Sequence, residues 1–138
     1  MNPILKKIIK DELKLLKELL KLLENQYNLL TSVEKDIVEI SKVSEEIDDY
    51  IKAIATLEIE KKNVLQGKSL SILINNSSDE EIKENYKETL LLLDAITEQK
   101  NTNHLFIKQQ LFFTKSLIRA ITPKRNAEIY DSFGKIKK

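Results

Sequence analysis

From residue 13 onward the apolar positions fall at Leu13, Leu16, Leu20, Leu23, Tyr27 and Leu30, a spacing of three and four that marks one stripe of a helix. Asn2 is placed to cap this helix, and Pro3 suits its first position, where a missing N–H costs nothing. The stripe slips by one residue near Thr31-Ser32. It then continues through Val33, Ile37, Ile40, Val43 or Ser44, Ile47, Tyr50, Ile54 and Leu57. Such a slip is either a helix break or a stutter absorbed within one helix. The reading favoured by the pattern is one long helix over 3–65, kinked at Thr31-Ser32 and roughly 90 Å long at ~1.5 Å per residue. A lone helix of that shape leaves its stripe wet, so it requires a partner helix from this chain or another.

Gly67 ends the segment, and a short apolar piece, Leu70 to Ile74, follows. The run Asn75-Asn76-Ser77-Ser78-Asp79 reads as a loop, with Ser78 and Glu81 at capping-box spacing. A last helix is expected over about 79–121, stopped by Pro123. At about 100° per residue, Leu92, Leu93, Ile96, Phe106, Ile107, Leu111, Phe113, Leu117, Ile118 and Ile121 share one broad face, which reads as core. The expected fold is all-α. It is a long antiparallel helical hairpin, or up-and-down coiled-coil-like bundle, with a short middle helix. Residues 1–122 form the helical domain and 123–138 a flexible polar tail. Pairing of two chains into a four-stranded bundle, a homodimer, stays open at this level.

Composition supports this outline. The 138 residues hold only two glycines and two prolines, too few for the turns of a sheet protein. Hydrophobic residues at 41% exclude a disordered chain, while charged residues at 33% suit helices with a wet face. The net charge is +1 with the signs interspersed, which argues against nucleic acid as a partner; a modest excess of Lys and Arg follows Pro123. The absence of cysteine excludes disulfides and thiolate metal sites and fits a reducing compartment. Lys6, Lys7, Lys10, Asp11, Glu12, Lys14 and Lys17 interrupt the N-terminal apolar run, so it reads as amphipathic, neither a signal peptide nor a membrane span.

Chemistry is hard to place on this chain. His104 is the only histidine and has no carboxylate at i±4. The carboxylate pairs Glu45-Glu46, Asp48-Asp49 and Glu80-Glu81 read as solvated helix faces, with ion pairs such as Glu58–Lys62. No phosphate loop or nucleophile motif is present, so no enzyme activity, cofactor or metal is expected. What remains is surplus apolar surface. Leu15, Leu22 and Leu29 repeat every seven residues, roughly opposite the Leu13–Leu20–Tyr27 seam, and Leu105 and Phe112 repeat likewise, at least about 100° from the centre of the core face. One reading is a wide core covered by another element or a second chain. The other is a groove for a partner's amphipathic helix.

The stretch KNTNHLFIKQQLFFTKSLIRAITPKRNAEIYDSFGK resembles the C-terminal signature of the FlgN family of flagellar export chaperones. Asn103 matches the second asparagine of the family's Asn-x-x-Asn, and Phe106-Ile107 match its apolar pair. Pro123 matches the helix-ending proline, and Tyr130 and Gly134 match the outer residues of its Tyr-Gly-x-x-Gly tail. Lys100 and Asp131 depart from the pattern at the first asparagine and the first tail glycine. Residues 1–65 are more diffusely similar to the family's leucine-rich first helix, including Glu24-Asn25-Gln26 and the Leu57 to Lys62 end. The resemblance implies a cytoplasmic chaperone. It would bind the C-terminal helical segments of the hook–filament junction proteins, prevent their premature assembly and deliver them to the type III export gate. The expected client-binding residues are Leu105, Phe112, Leu15, Leu22, Leu29 and Asn103, and the expected export-gate contacts are Tyr130 and Gly134. The rivals are a structural, self-associating coiled coil without a dedicated client, and a four-helix sensor bundle, which would require a buried polar cluster within its seam.

Overall fold

The computed structural model describes residues 1–121 and the backbone of 130–132 and 135–136. Four helices occupy the first of these stretches: α1 (Pro3–Thr31), α2 (Ile37–Leu65), α3 (Leu70–Asn75) and α4 (Glu80–Ile121). Two compact units divide the chain, Met1–Asn103 and His104–Lys138, so that α4 begins in the first and ends in the second.

The expected single helix over 3–65 is instead two helices of 29 residues, each about 44 Å long. The physical reason lies in residues 31–36. Thr31 Oγ1 donates back to the carbonyls of Tyr27 and Asn28, at 2.9 and 3.3 Å, and Ser32 is extended with φ −66° and ψ 144°. Asp36 then caps α2 by accepting the Glu39 N–H at 3.1 Å. Side chains that satisfy the backbone locally make a turn cheap at the point where the apolar stripe slips. Folding back also buries both halves of the stripe against each other, which one straight helix cannot do. Val33 and Ile37, read as stripe residues, sit at this turn with 101% and 76% exposure.

The pairings within the first unit give its topology. Gln26 meets Ser44 and Glu12 meets Lys61, so α2 runs antiparallel to α1. Lys6 meets Asp79, Lys10 meets Glu81 and Lys17 meets Glu88, so α4 runs parallel to α1. Residues 66–79 turn the chain from α2 into α4 through α3. The first unit is therefore an up-down-up arrangement of three long helices, a modification of the expected hairpin.

Its core has two parts. Leu16, Leu19 and Leu23 of α1 pack with Val43 and Ile47 of α2 and Ile96 of α4. Nearer the start of α1, Leu5 and Ile9 pack with Ile74 of α3 and Ile82 of α4, flanked by Val64, Leu65, Leu70, Leu73 and Tyr86. The apolar piece Leu70 to Ile74 is thus a short helix that plugs the end of the bundle, with Ile74 only 2% exposed. Burying side chains of this kind stabilises the fold by about 1.5–3 kcal/mol each before ordering costs.

The helix ends follow local rules. Asn2 Oδ1 accepts the Ile4 N–H at 2.8 Å beside Pro3, as expected. Gln66 (φ 50°) and Gly67 (φ 82°) take the left-handed region and end α2; the glycine adopts it without strain. The cap of α4 is Asp79 rather than Ser78: Asp79 Oδ1 accepts the Ile82 N–H at 3.3 Å. The hydrogen bond from Lys6 and that backbone N–H hold the Asp79 carboxyl below its ordinary pKa. The expected Glu58–Lys62 pair is also replaced, since Glu58 pairs with Lys61.

The expectation of a flexible tail over 123–138 lies largely outside the described residues. Within them, the backbone forms two short strands, β1 (Tyr130–Ser132) and β2 (Lys135–Ile136), paired antiparallel with an irregularity in β1.

Candidate partner-binding face

The last polar side chain secured within the first unit is Asn103, and it is 2% exposed. Its Nδ2 donates to the Leu23 carbonyl at 2.8 Å and to Gln26 Oε1 at 2.9 Å, and Gln99 Nε2 donates to its Oδ1 at 2.9 Å. Gln26 Nε2 in turn donates to Ser44 Oγ at 3.3 Å, and that hydroxyl donates to the Ile40 carbonyl at 2.9 Å. One chain of hydrogen bonds therefore links α4, α1 and α2. No buried side-chain nitrogen or oxygen is left unpaired among the described residues. A satisfied buried amide fixes register because any slip of α4 strands its donors and acceptors. Asn103, expected among the client-binding residues, is committed to this internal network.

A second buried polar group was not legible in the sequence. Glu12 of α1 is 4% exposed, accepting from Lys61 Nζ at 3.2 Å, while Lys61 also reaches Glu58 at 2.6 Å. Burial, reinforced by the hydrogen bond with Glu58 and only partly countered by Lys61, pushes the Glu12 carboxyl up to about 7. Burial also pushes Glu58 up, but hydrogen bonds with Glu12 and Lys61 outweigh it and hold Glu58 below its ordinary value. Lys61 is raised: burial lowers it, and the two carboxylates more than offset that. The three groups join α1 to α2, with Glu12 in the interior, Lys61 half-buried and Glu58 at the surface. Because i,i+3 and i,i+4 partners dominate a reading by spacing, a carboxylate drawn from 49 residues away is invisible to it.

Beyond Asn103 the character of α4 changes. Leu105 (58% exposed) and Phe112 (74%) are open to solvent, which the heptad spacing left undecided. So are Ile107, Leu111, Phe113, Leu117, Ile118 and Ile121, which the helical wheel assigns to the core; Phe113 is 67% exposed and Ile121 72%. Leu93, in the first unit, is exposed too, whereas Leu92 and Phe106 are half-buried and Ile96 is buried. The wheel finds an apolar face correctly but cannot say whether anything covers it. A run of large apolar side chains this dense exceeds the scattered singles normal on a protein surface.

Leu15, Leu22 and Leu29 have a different fate. All three are half-buried in the first unit, and Leu22 and Leu29 pack against the Leu16–Leu19–Leu23 cluster. Their seven-residue repeat follows α1 where it meets two neighbours rather than one. The side chain of Tyr130 and the whole of Gly134 lie outside the described residues.

The same stretch of α4 has a polar side that the residue counts reveal once the units are known. Residues 1–103 carry 15 Lys and no Arg against 20 Asp and Glu, while residues 104–138 carry 8 Lys and Arg against 2. Between Glu98 and Glu128 there is no acidic residue at all. Lys108 and Arg119 are exposed and Lys115 half-buried, and none of them forms an ion pair among the described residues. In the first unit, by contrast, Lys10, Lys17 and Lys61 each bridge to a carboxylate on another helix, and Lys6 to Asp79 at the cap of α4.

Among the described residues no group of three or more His, Cys, Asp or Glu could hold a metal ion. No helix there is long and apolar enough to cross a membrane. The described part of α4 beyond Asn103 presents a surface that is amphipathic and cationic. Neither the curated proteins nor the solved structures contain a match to this chain. The family model described as FlgN protein matches residues 1–138, the whole sequence. With the asparagine, apolar pair, proline and tail positions noted above, this match establishes that the chain belongs to the FlgN family of flagellar export chaperones.

Proposed function

We propose that this chain binds the C-terminal amphipathic helices of hook–filament junction proteins in the cytoplasm. It holds them unassembled and delivers them to the type III export gate. The observation that supports this reading is the exposed apolar run of α4 between Leu105 and Ile121, in a chain whose family binds flagellar export substrates. An amphipathic client helix laid along the Leu105–Phe112 side of that run removes apolar area from water on both partners, at ~25 cal/mol per Å² before ordering costs. A client segment disordered when free would lose part of that gain in folding on binding.

Within this reading Leu105 and Phe112 touch the client. Leu22 and Leu29 contribute indirectly, by packing the bundle, and Asn103 fixes the register of α4 before the face begins. Tyr130 and Gly134 are proposed to contact the gate, on the strength of their match to the family's tail motif. The chemistry is association throughout, with no catalytic step and no cofactor.

The test is calorimetric titration of the chain with the C-terminal segments of the host's junction proteins. Saturable, stoichiometric binding that orders the peptide is expected. Leu105→Asp with Phe112→Asp should weaken it at least about tenfold with helicity unchanged. Absence of binding by the folded wild-type chain, together with concentration-dependent self-association lost in the same variant, would favour a self-associating coiled coil. Tyr130→Ala should leave client affinity unchanged and weaken binding to the gate's cytoplasmic domain; an unaltered gate affinity would remove Tyr130 from that role.

A further inference from the structure

The proposed client face has an electrostatic side that says which helices it accepts. Lys108, Lys115 and Arg119 fall within about 40° of one another around α4, directly beside Leu105 and Phe112. Lys108 and Lys115 are two helical turns apart, about 10.5 Å along the axis, so they form a row parallel to the Leu105–Phe112 row. No acidic residue lies between Glu98 and Glu128 to neutralise them, and none of the three is ion-paired among the described residues. The opposite flank, Gln109, Ser116 and Ala120, is uncharged. A helix that served only to pack against a neutral apolar stripe would have no need of a one-sided cationic row.

We propose that this face selects an acidic amphipathic helix: a segment whose apolar stripe is bordered, on one side, by Asp or Glu at a spacing of three, four or seven residues. The inference rests on the reading of residues 104–121 as the client face and adds the chemistry of the client. Carboxylates beside the apolar stripe would meet Lys108, Lys115 and Arg119 as Leu105 and Phe112 are covered. Covering these apolar groups lowers the local dielectric and strengthens pairs that are weak when fully wet. Opposite charge also sets the direction and register of a helix that an apolar stripe alone would accept in several ways.

The experiment uses the full chain and one helical peptide in three versions, with an identical Leu/Phe stripe bordered by Glu, Gln or Lys. The Glu version should bind roughly tenfold or more tightly than the Gln version, and the Lys version most weakly. Raising NaCl from about 50 to about 500 mM should compress the differences. Replacing all three cations (Lys108→Glu, Lys115→Glu, Arg119→Glu) should invert the order so that the Lys version binds best, a rescue that misfolding cannot imitate. Equal affinities for the three versions, insensitive to salt and to the triple substitution but abolished by Leu105→Asp with Phe112→Asp, would overturn the acidic preference and leave the apolar face standing. Failure of every version and of the junction-protein segments to bind would overturn both. If instead the chain sediments with vesicles containing about one-third phosphatidylglycerol, loses this with the triple substitution, and shows no preference among peptides, the cationic row serves a lipid surface and the proposal falls.

Discussion

Two stretches of one helix, α4, teach the most here. Over residues 80–103 Ile82, fully buried, and Ile96, 8% exposed, are inserted among α1, α2 and α3 with Tyr86 and Leu92 beside them, only Leu90, Leu91 and Leu93 facing outward, and two of its acids bridge to lysines of α1. Over 104–121 the apolar density is at least as high, yet Leu105, Phe112, Phe113 and Ile121 are all more than half exposed, and the cations form no ion pair among the described residues. The helical periodicity continues through both stretches. What differs is closure: the core residues of the first stretch have their complement within the first unit, and the second stretch presents the same kind of side chain exposed.

Breaking the closed half should produce the largest effect. Ile82→Ala leaves a cavity among Leu5, Ile9 and Ile74 and should cost about 2–5 kcal/mol in urea unfolding. Next comes the buried carboxyl. Glu12 is raised to about 7 in the fold and is ordinary when unfolded, so between those values the native state binds the extra proton. Stability should therefore fall as pH rises from about 4.5 to 7, by at most about 3 kcal/mol, and Glu12→Gln should flatten this slope in melts taken across that range. Glu58 acts in the opposite sense: its contribution is complete above its ordinary pKa and is lost as pH falls from there through its lowered one, so the optimum should lie at mildly acidic pH.

Asn103→Ala tests the boundary itself. It removes the hydrogen bonds to Leu23, Gln26 and Gln99 and should cost about 1–3 kcal/mol in thermal or urea unfolding. A change confined to client affinity, with stability untouched, would show instead that Asn103 belongs functionally to the open half. The smallest effect is expected from Phe112→Ala, which should alter unfolding stability by no more than about 0.5 kcal/mol. A loss comparable to that of Ile82→Ala would mean that Phe112 is core and would erase the contrast between the two stretches.

Much of this was open to a reader of the sequence, for identifiable reasons. The cap at Asn2, the stop at Gly67, the short helix over Leu70–Asn75 and the span of α4 all follow from local rules that act within a turn or two. The reversal at residues 32–36 was harder. A slip of one residue in an apolar stripe looks the same whether the helix kinks or folds back, and the outcome turns on which arrangement buries more surface. The Glu12–Lys61 pair and the Asn103 network join residues 49 and 77–80 positions apart, beyond the reach of any periodicity. The candidate face was half legible. Leu105 and Phe112 stood out by their spacing, but Leu111, Phe113, Leu117, Ile118 and Ile121 carry the same signature as a core stripe.

By itself, then, the order of residues determined that this chain is helical, where most of its helices begin and end, and which family it belongs to. Those properties depend on side-chain periodicity, on caps and on a motif near the C-terminus. Only the tertiary structure decided that the first apolar stripe is folded against itself, that Glu12 and Asn103 are interior, and that α4 passes from covered to open at Asn103. Burial is a relation between segments, and a stripe of leucine and phenylalanine reads the same along the chain whether or not another element lies across it.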